Sequence, residues 1–532
     1  MLFLDSKALF STMLRSIIAV IGGVAVTLSL APYNFWPLAI FATACLFALL
    51  QAQTLKMSAW FGWCFGLGLF GSGASWVYVS IHDFGHLSVG LSSLLTLVFC
   101  GCLALLCALN WAAYALLSHR LITHLRPPAS QTANTLHLEN TILFAALWVT
   151  GEWARTWLLS GFPWLFIGYS QTQQLLGPWA SIIGVYGISF LIAITGAVVA
   201  LFTLQRKSLG AEARLSSINP TKQYSMAFSL LLIWLAPVTL TFPIWTEQAS
   251  KPNSVTMVQA NISQHKKWQL SHRQSSIDLY LKLTEPHWQT SDLIIWPEAA
   301  IPIYHDRSAE LLRHINARAI ASQTSFISGI PSRDSSAGTR YNSLIGLGEA
   351  SGIYHKQKLV PFGEYIPFGK SLGNLLDFFD LPIANMNAGS SDQQALQSPH
   401  WQTTPLICYE VVYPALAVKA AAVSDVLITV SNDSWFGASI GPLQHLQMAQ
   451  MRAIENQRYM LRSTGNGVTA IIDPRGRITA RTAQFKQAVV SGLFFTSSGK
   501  TPWGAIGFWL VPSICGVIIL LFALKKITGH KH

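Results

Sequence analysis

The chain has 532 residues and a net charge of +12, with 51% hydrophobic and only 11% charged residues, where soluble domains average about 25% charged. With a mean hydropathy of +0.39, these values exclude a disordered chain, a collagen-like fibre and a small disulfide scaffold, and they argue against an ordinary soluble enzyme. The basic excess reads as membrane topology rather than as a nucleic-acid footprint.

Charge is spread unevenly. Residues 1–253 carry 11 Lys/Arg and 6 Asp/Glu, whereas residues 254–500 carry 21 and 17. The pattern predicts a membrane half, a polar domain and a short apolar end. A spanning helix needs ~20 apolar residues. Candidates lie at 9–30, 35–53, 58–80, 88–118, 140–160, 178–204 and 225–246, with an eighth at 504–524. The fifth is the weakest, because it holds Glu152 and Arg155. These two read equally as a functional pair and as a structural one. Lys7, Lys56, Arg120, Arg126, Arg206, Lys207, Arg214, Lys222, Lys525, Lys526 and Lys531 fall on one side of this alternation. On the other side, 31–36 carry no charge and 81–87 only Asp83. Eight spans with both termini in the cytoplasm follow, with the domain between span seven and span eight outside. The expected division is 1–246 membrane helices, 247–503 polar domain and 504–532 a last helix with its tail. The first span reads as an uncleaved anchor.

From Ser254 the hydrophobic period shortens. Strands are predicted at Ser254–Ala260, Asp292–Trp296, Ser325–Ile330, Asn342–Leu347, Thr404–Cys408, Val426–Val430, Gly467–Ile472 and Ala488–Phe494. Helices are predicted at Ser271–Thr284, Ala309–Ser322, Tyr413–Val423 and Pro442–Arg458. Their alternation implies a layered α/β domain with its function at strand ends. Six of the seven cysteines lie in apolar spans, and Cys408 alone is in the polar domain. It reads equally as a buried inert thiol and as a reactive one. Three strand ends carry ionisable groups: Glu298 after Trp296-Pro297, Lys358 after Ile353-Tyr354, and Cys408 itself. Singly, Glu298 and Lys358 read as solvated turn and loop residues. Together a carboxylate, an ammonium and a thiol can take a proton, stabilise an oxyanion and attack an acyl group.

The ordered set Trp296-Pro297-Glu298, Lys356-Gln357-Lys358-Leu359-Val360-Pro361-Phe362-Gly363-Glu364 and Cys408-Tyr409-Glu410 resembles the nitrilase, or carbon–nitrogen hydrolase, superfamily. With eight spans and the Gly161-Phe162-Pro163-Trp164 run, the whole chain resembles the apolipoprotein N-acyltransferase family. The resemblance implies an αββα sandwich outside the bacterial inner membrane, on the periplasmic side. It implies Glu298 as general base, Lys358 as oxyanion stabiliser and Cys408 as nucleophile. Glu364, Trp268, Tyr409, Glu410, Trp164 and Trp435 are the implied supporting or substrate-binding residues. The implied reaction is ping-pong. A phospholipid, usually phosphatidylethanolamine, acylates Cys408, and the α-amine of a diacylglyceryl-cysteine on an apolipoprotein takes the chain. No metal or organic cofactor is required.

Other features are weighed against blander readings. Gly369–Asn387, with Phe378 and Phe379, reads either as a loop packed on its domain or as a mobile arm that gates lipid entry. Cys100, Cys102 and Cys107 read as small buried residues, and His82 and His86 as turn residues rather than metal ligands. Asn432–Phe436 is expected to line the site, and Arg452, Glu455 and Arg458 to form a structural charge cluster. Two rivals share these data: a membrane-tethered carbon–nitrogen hydrolase that uses water, and a transporter or scaffold with a catalytically dead outer domain.

Overall fold

The computed structural model describes residues 6–118, 139–208, 220–239, 244–334, 336–365 and 385–529. Most of the expected arm, and Arg120, Arg126, Arg214 and Lys531 of the charge pattern, lie outside them. The chain forms two compact units. One comprises Met1–His82, Leu87–Pro243 and Trp509–His532, the other Asp83–His86 and Ile244–Phe508.

In the first unit, helices occupy all eight predicted positions: Ser6–Ser29, Pro37–Leu50, Leu55–Gly73, Val89–Leu117, Glu139–Ala154, Ala180–Ser208, Pro220–Thr239 and Leu510–Gly529. Among the described residues, four are long and apolar enough to cross a bilayer. A fifth counts if Leu55–Gly73 and Val77–Phe84, bent by 60°, make one span. Pro37–Leu50 has 14 residues, which at about 1.5 Å per residue fall short of a hydrocarbon core about 30 Å thick. The first and third helices meet through glycine. A Cβ on Gly23 would lie 2.1 Å from the Phe65 carbonyl oxygen, and one on Gly68 2.1 Å from that of Val20. Such contacts let backbones approach without a side chain between them.

The buried polar pair of this unit pins a loop. Glu152 Oε1 accepts hydrogen bonds from Trp148 Nε1 at 3.0 Å and from the Ile167 amide at 2.8 Å. Arg155 Nη1 donates to the Trp164 carbonyl at 2.8 Å, and its guanidinium lies over the rings of Phe70 and Phe166.

The second unit holds two main sheets. Its strands are β1 (Thr246–Gln248), β2 (Asn253–Gln259), β3 (Leu293–Ile295), β4 (Ser325–Asp334), β5 (Thr339–Gly348), β6 (Ile353–His355), β7 (Leu396–Gln397), β8 (Gln402–Thr403), β9 (Leu406–Ile407), β10 (Leu427–Ser431), β11 (Met460–Thr464), β12 (Ala470–Ile472), β13 (Ile478–Arg481), β14 (Ala488–Phe494) and β15 (Ser497–Gly499). One sheet runs β14-β2-β3-β4-β5-β6 and the other β13-β12-β11-β10-β9. In each, three neighbours are parallel, β2, β3 and β4 in the first and β9, β10 and β11 in the second.

Side-chain alternation builds the layers. Met257, Ile295, Ile327 and Leu344 of the first sheet share a buried core with Ile407, Ile428, Leu461 and Ile471 of the second. The intervening Val258, Ile294 and Phe326 pack instead with Tyr280 of helix Leu270–Thr284 and with Ile315 and Ala319 of helix Ala309–Ala321. Helices Pro414–Ala422 and Gly441–Asn456 pack against the second sheet.

The second unit takes in Ile244–Phe508 together with Asp83–His86. Its ends are tied by β1–β15 pairing, and Thr501 Oγ1 caps helix Pro502–Ile506 while donating to the Glu455 carbonyl. The last helix therefore starts at Leu510, beyond Gly507 at φ +89°. In the two main sheets the sequence reading missed β11 and β13, and outside them the short β1, β7, β8 and β15. Arg462 interrupts the apolar pattern of β11, yet it is fully buried.

Gly23→Ala and Gly68→Ala are each expected to destabilise the protein by about 1–3 kcal/mol through overpacking. Gly101→Ala, which meets nothing within 4 Å, is expected to leave it unchanged. Thermal melting of the detergent-solubilised protein measures the difference.

Candidate active site

Parallel strands end together where the chemistry is. β3 runs into Trp296-Pro297-Glu298, β9 into Cys408, and β10 into Asn432 and Asp433. Beneath the Glu298 turn β4 passes so close that a Cβ on Gly329 would lie 2.4 Å from the Ala299 nitrogen. Ala299 itself takes φ +48°. The turn aims the carboxylate inward. Glu298 Oε1 accepts from Asn342 Nδ2 at 2.7 Å and Oε2 from the Asn432 amide at 2.7 Å.

The ammonium beside it belongs to Lys356. Its side chain is 1% exposed, and Nζ lies 3.6 Å from Glu298 Oε1 and 2.9 Å from Glu364. Glu364 also accepts from Asn342 Nδ2 at 2.9 Å and from the Val360 amide at 2.8 Å. One asparagine amide thus bridges both carboxylates. Burial alone would lower the lysine, but Glu364, Glu298 and Cys408 together hold its pKa well above the ordinary value.

The expected lysine, Lys358, is not in this cluster. Its Nζ lies 5.0 Å from the centroid of the Tyr413 ring, and burial lowers its pKa. The cause is a bend in the chain. Lys356 continues the β6 ladder through its amide to the Asn342 carbonyl, but the amides of Gln357 and Lys358 both turn to Glu410 Oε1, at 2.6 and 3.1 Å. Two lysines two residues apart therefore point to different places.

Cys408 takes φ +54° straight after β9, a left-handed conformation rare for a residue with a Cβ. The thiol thereby leaves the strand direction. Burial first, and then the charge of Glu298, push it up to about 12, against the pull of Lys356. Proximity to all three charged or nucleophilic partners thus joins Glu298, Lys356 and Cys408 in one buried cluster.

Glu410 is fully buried and ties the nucleophile turn to the lysine loop. Besides the two loop amides it accepts from the Ile407 amide at 2.7 Å and from the Tyr354 hydroxyl at 3.1 Å. Tyr409 is buried with its ring edge-on to Tyr413. Trp268 and Trp435 present large faces, 47% and 36% exposed. Trp164 is buried in the first unit against Trp76 and Phe162. The sequence reading missed Lys356, Asn342 and Lys267. Lys267 is buried and donates from Nζ to the Glu298 carbonyl at 2.9 Å. Their signals are weak, since an asparagine inside a strand and one lysine among several mark nothing without the pairing.

The expected charge cluster has structural contacts. Arg452 and Glu455 pair at 3.2 Å in full burial, and Arg458 donates to the carbonyls of Ala421 and Gly499. Among the described residues no group of three or more His, Cys, Asp or Glu could hold a metal ion.

Glu410→Gln turns an NH2 group toward backbone donors that need an acceptor. It is expected to cost about 1–3 kcal/mol, read as a lowered melting temperature against Glu349→Gln as control.

Comparison with known proteins follows this geometry. The family description "Apolipoprotein N-acyltransferase N-terminal domain" matches residues 22–198, and "Carbon-nitrogen hydrolase" matches residues 254–493. An apolipoprotein N-acyltransferase of Pseudomonas aeruginosa is 41% identical over 523 residues, covering 96% of each chain. That of Azotobacter vinelandii is 40% identical over 514 residues, covering 96% of this chain and 95% of its own. That of Coxiella burnetii is 35% identical over 511 residues, covering 96% and 99%. A solved carbon–nitrogen hydrolase superfamily protein from Xanthomonas campestris aligns at 18% identity with a TM-score of 0.35, covering 46% of this chain and 91% of that one. With relatives of this identity spanning nearly its whole length, the chain belongs to the apolipoprotein N-acyltransferase family.

Proposed function

We propose that the protein moves a fatty acyl chain from a phospholipid, phosphatidylethanolamine in the first instance, to the α-amine of the diacylglyceryl-cysteine that begins an apolipoprotein. The observation that carries this reading is the buried cluster of Cys408, Glu298 and Lys356 in a chain with a membrane half.

A thiol near pKa 12 holds almost no thiolate at neutral pH, so its proton must leave as it attacks. Glu298, held by Asn342 and the Asn432 amide, takes that proton. The Cys408 sulfur forms a bond to the ester carbonyl carbon, and its oxygen gathers negative charge that the Lys356 ammonium offsets. The carbon–oxygen bond to the glycerol then breaks. Glu298 returns the proton to the departing alkoxide, leaving a lysophospholipid and an acyl thioester. In the second half the acceptor amine, with a pKa near 8, attacks the thioester. Glu298 takes the amine proton, the carbon–sulfur bond breaks, and the proton ends on Cys408. Glu364 and Asn342 position Lys356 throughout. Burial of Cys408, Glu298 and Lys356 supports transfer over hydrolysis, because water is kept from the thioester.

Trp268 and Trp435 offer aromatic surface for acyl chains, Tyr409 and Glu410 hold the nucleophile turn, and Trp164 supports the membrane half. The wider reading is an αββα sandwich on the periplasmic face of the bacterial inner membrane, with eight helices set in it, the short Pro37–Leu50 packed among the longer ones, and both termini in the cytoplasm. The Lys/Arg alternation between helices supports it, and the unit boundaries at 244 and 508 suit a division into membrane helices, catalytic domain and last helix.

Incubation with phosphatidylethanolamine alone is expected to add one acyl group to Cys408, seen by mass spectrometry. A diacylated lipopeptide should then discharge it as an amide. Cys408→Ala should abolish both, and discharge to free fatty acid alone would point to a hydrolase instead. Lys356→Met is expected to slow thioester formation about 10²–10³-fold, as loss of an oxyanion donor does elsewhere, whereas Lys358→Met should leave most of the rate. The reverse ranking would return the role to Lys358.

A further inference from the structure

A second buried set of polar groups adjoins Cys408 and is not used by the chemistry above. Ser431 ends β10 and Asp433 lies two residues on, Arg462 lies on β11, and His445 on helix Gly441–Asn456. All four are at most 1% exposed. Arg462 Nη2 donates to Asp433 Oδ2 at 2.7 Å and lies 3.2 Å from His445 Nδ1. The Ser431 hydroxyl lies 2.6 Å from Asp433 Oδ1 and 3.5 Å from Cys408 Sγ. His445 Nε2 lies 3.1 Å from the Cys408 carbonyl oxygen. Room for the carboxylate is left by Gly467, where a Cβ would fall 1.9 Å from Asp433 Oδ2.

The proton positions follow from the partners. A carbonyl oxygen only accepts, so His445 Nε2 carries a hydrogen. With that hydrogen on Nε2, Nδ1 faces both the Arg462 guanidinium and Asp433 Oδ1 at 3.4 Å; burial and the Arg462 charge hold the imidazole below its ordinary pKa against the pull of the carboxylate, and Nδ1 accepts from the guanidinium. One –NH2 group of Arg462 thus serves both Asp433 and His445. Ser431 has a single hydrogen, and the carboxylate at 2.6 Å takes it. Its oxygen also lies 3.5 Å from Cys408 Sγ, so the hydroxyl that the carboxylate fixes in turn fixes the place of the sulfur and leaves the thiol hydrogen for Glu298.

We propose that Arg462, Asp433 and His445 are positioning residues for the nucleophile: through His445 they hold the Cys408 carbonyl, and through Ser431 they aim the thiol. Cys408 sits in a left-handed conformation that a residue with a Cβ keeps only when its surroundings over-determine it. A fixed donor on its carbonyl and a fixed hydroxyl beside its sulfur do so at both ends of the residue. The inference rests on Cys408 being the nucleophile.

The test uses the full-length protein in detergent micelles with phosphatidylethanolamine, following acylation of Cys408 by mass spectrometry over a range of lipid concentrations. His445→Phe is expected to lower the maximal rate about 10- to 100-fold, with the half-saturating lipid concentration within about twofold of the parent. His445→Gln should recover most of that loss, because its amide can still donate to the Cys408 carbonyl. An unchanged rate in His445→Phe, or a change confined to half-saturation, would overturn the proposal while leaving the nucleophile in place. So would a Gln variant no better than Phe when both melt like the parent. If the Phe variant does not fold, Ser431→Ala decides: a slowed rate at unchanged half-saturation supports the proposal, and a parental rate overturns it. Absence of any thioester in the parent protein would overturn the nucleophile assignment, and this inference with it.

Discussion

An ammonium group stripped of water between two carboxylates sets the terms for the catalytic unit. Lys356 has 1% of its side chain exposed, and an isolated charge there would be far too costly to keep. Glu298 and Glu364 make it tolerable, and each comes from a different part of the chain. Asn342, on β5, then gives one hydrogen to each carboxylate. Removing Lys356 leaves two buried carboxylates without their counter-ion. The turn after β3, the strand β5 and the loop from 356 to 365 are therefore held in one arrangement by electrostatics, and the apolar sheets supply the frame.

Cys408 meets this cluster through a second tie. Glu410 collects donors from both sides, the Ile407 amide before Cys408 and the amides of Gln357 and Lys358 after Lys356. The left-handed turn at Cys408 and the bend of the lysine loop thus share one carboxylate. Burial raises that thiol to about 12, so it keeps its proton at neutral pH.

The membrane half manages polarity in the opposite manner. Its buried Glu152 and Arg155 meet backbone groups, the Ile167 amide and the Trp164 carbonyl, and aromatic faces. These contacts hold the loop that carries the Gly161–Trp164 run, so a pair that read equally as functional or structural has a structural employment. Glycines at 23 and 68 do the remaining work by letting helix backbones touch.

Much of this was legible in the residues. Hydrophobic runs placed eight helices, because apolar length is a local property. Period-two patterns placed most strands, and the ordered motifs around Glu298, Glu364 and Cys408 named a site. Local pattern failed where a residue's role depends on a partner far along the chain. Lys358 looked as good as Lys356 until Glu410, 52 residues away from Lys358, took its amide and bent the loop. Arg462 hid β11, since a buried arginine makes sense only beside Asp433, 29 residues away. Sequence alone determined the apolar half and the layered α/β domain, which follow from side-chain type and spacing. Tertiary structure decided which lysine carries the charge and which buried groups hold the cysteine. Pairing in a low-dielectric interior is a property of three-dimensional neighbours and not of order along the chain.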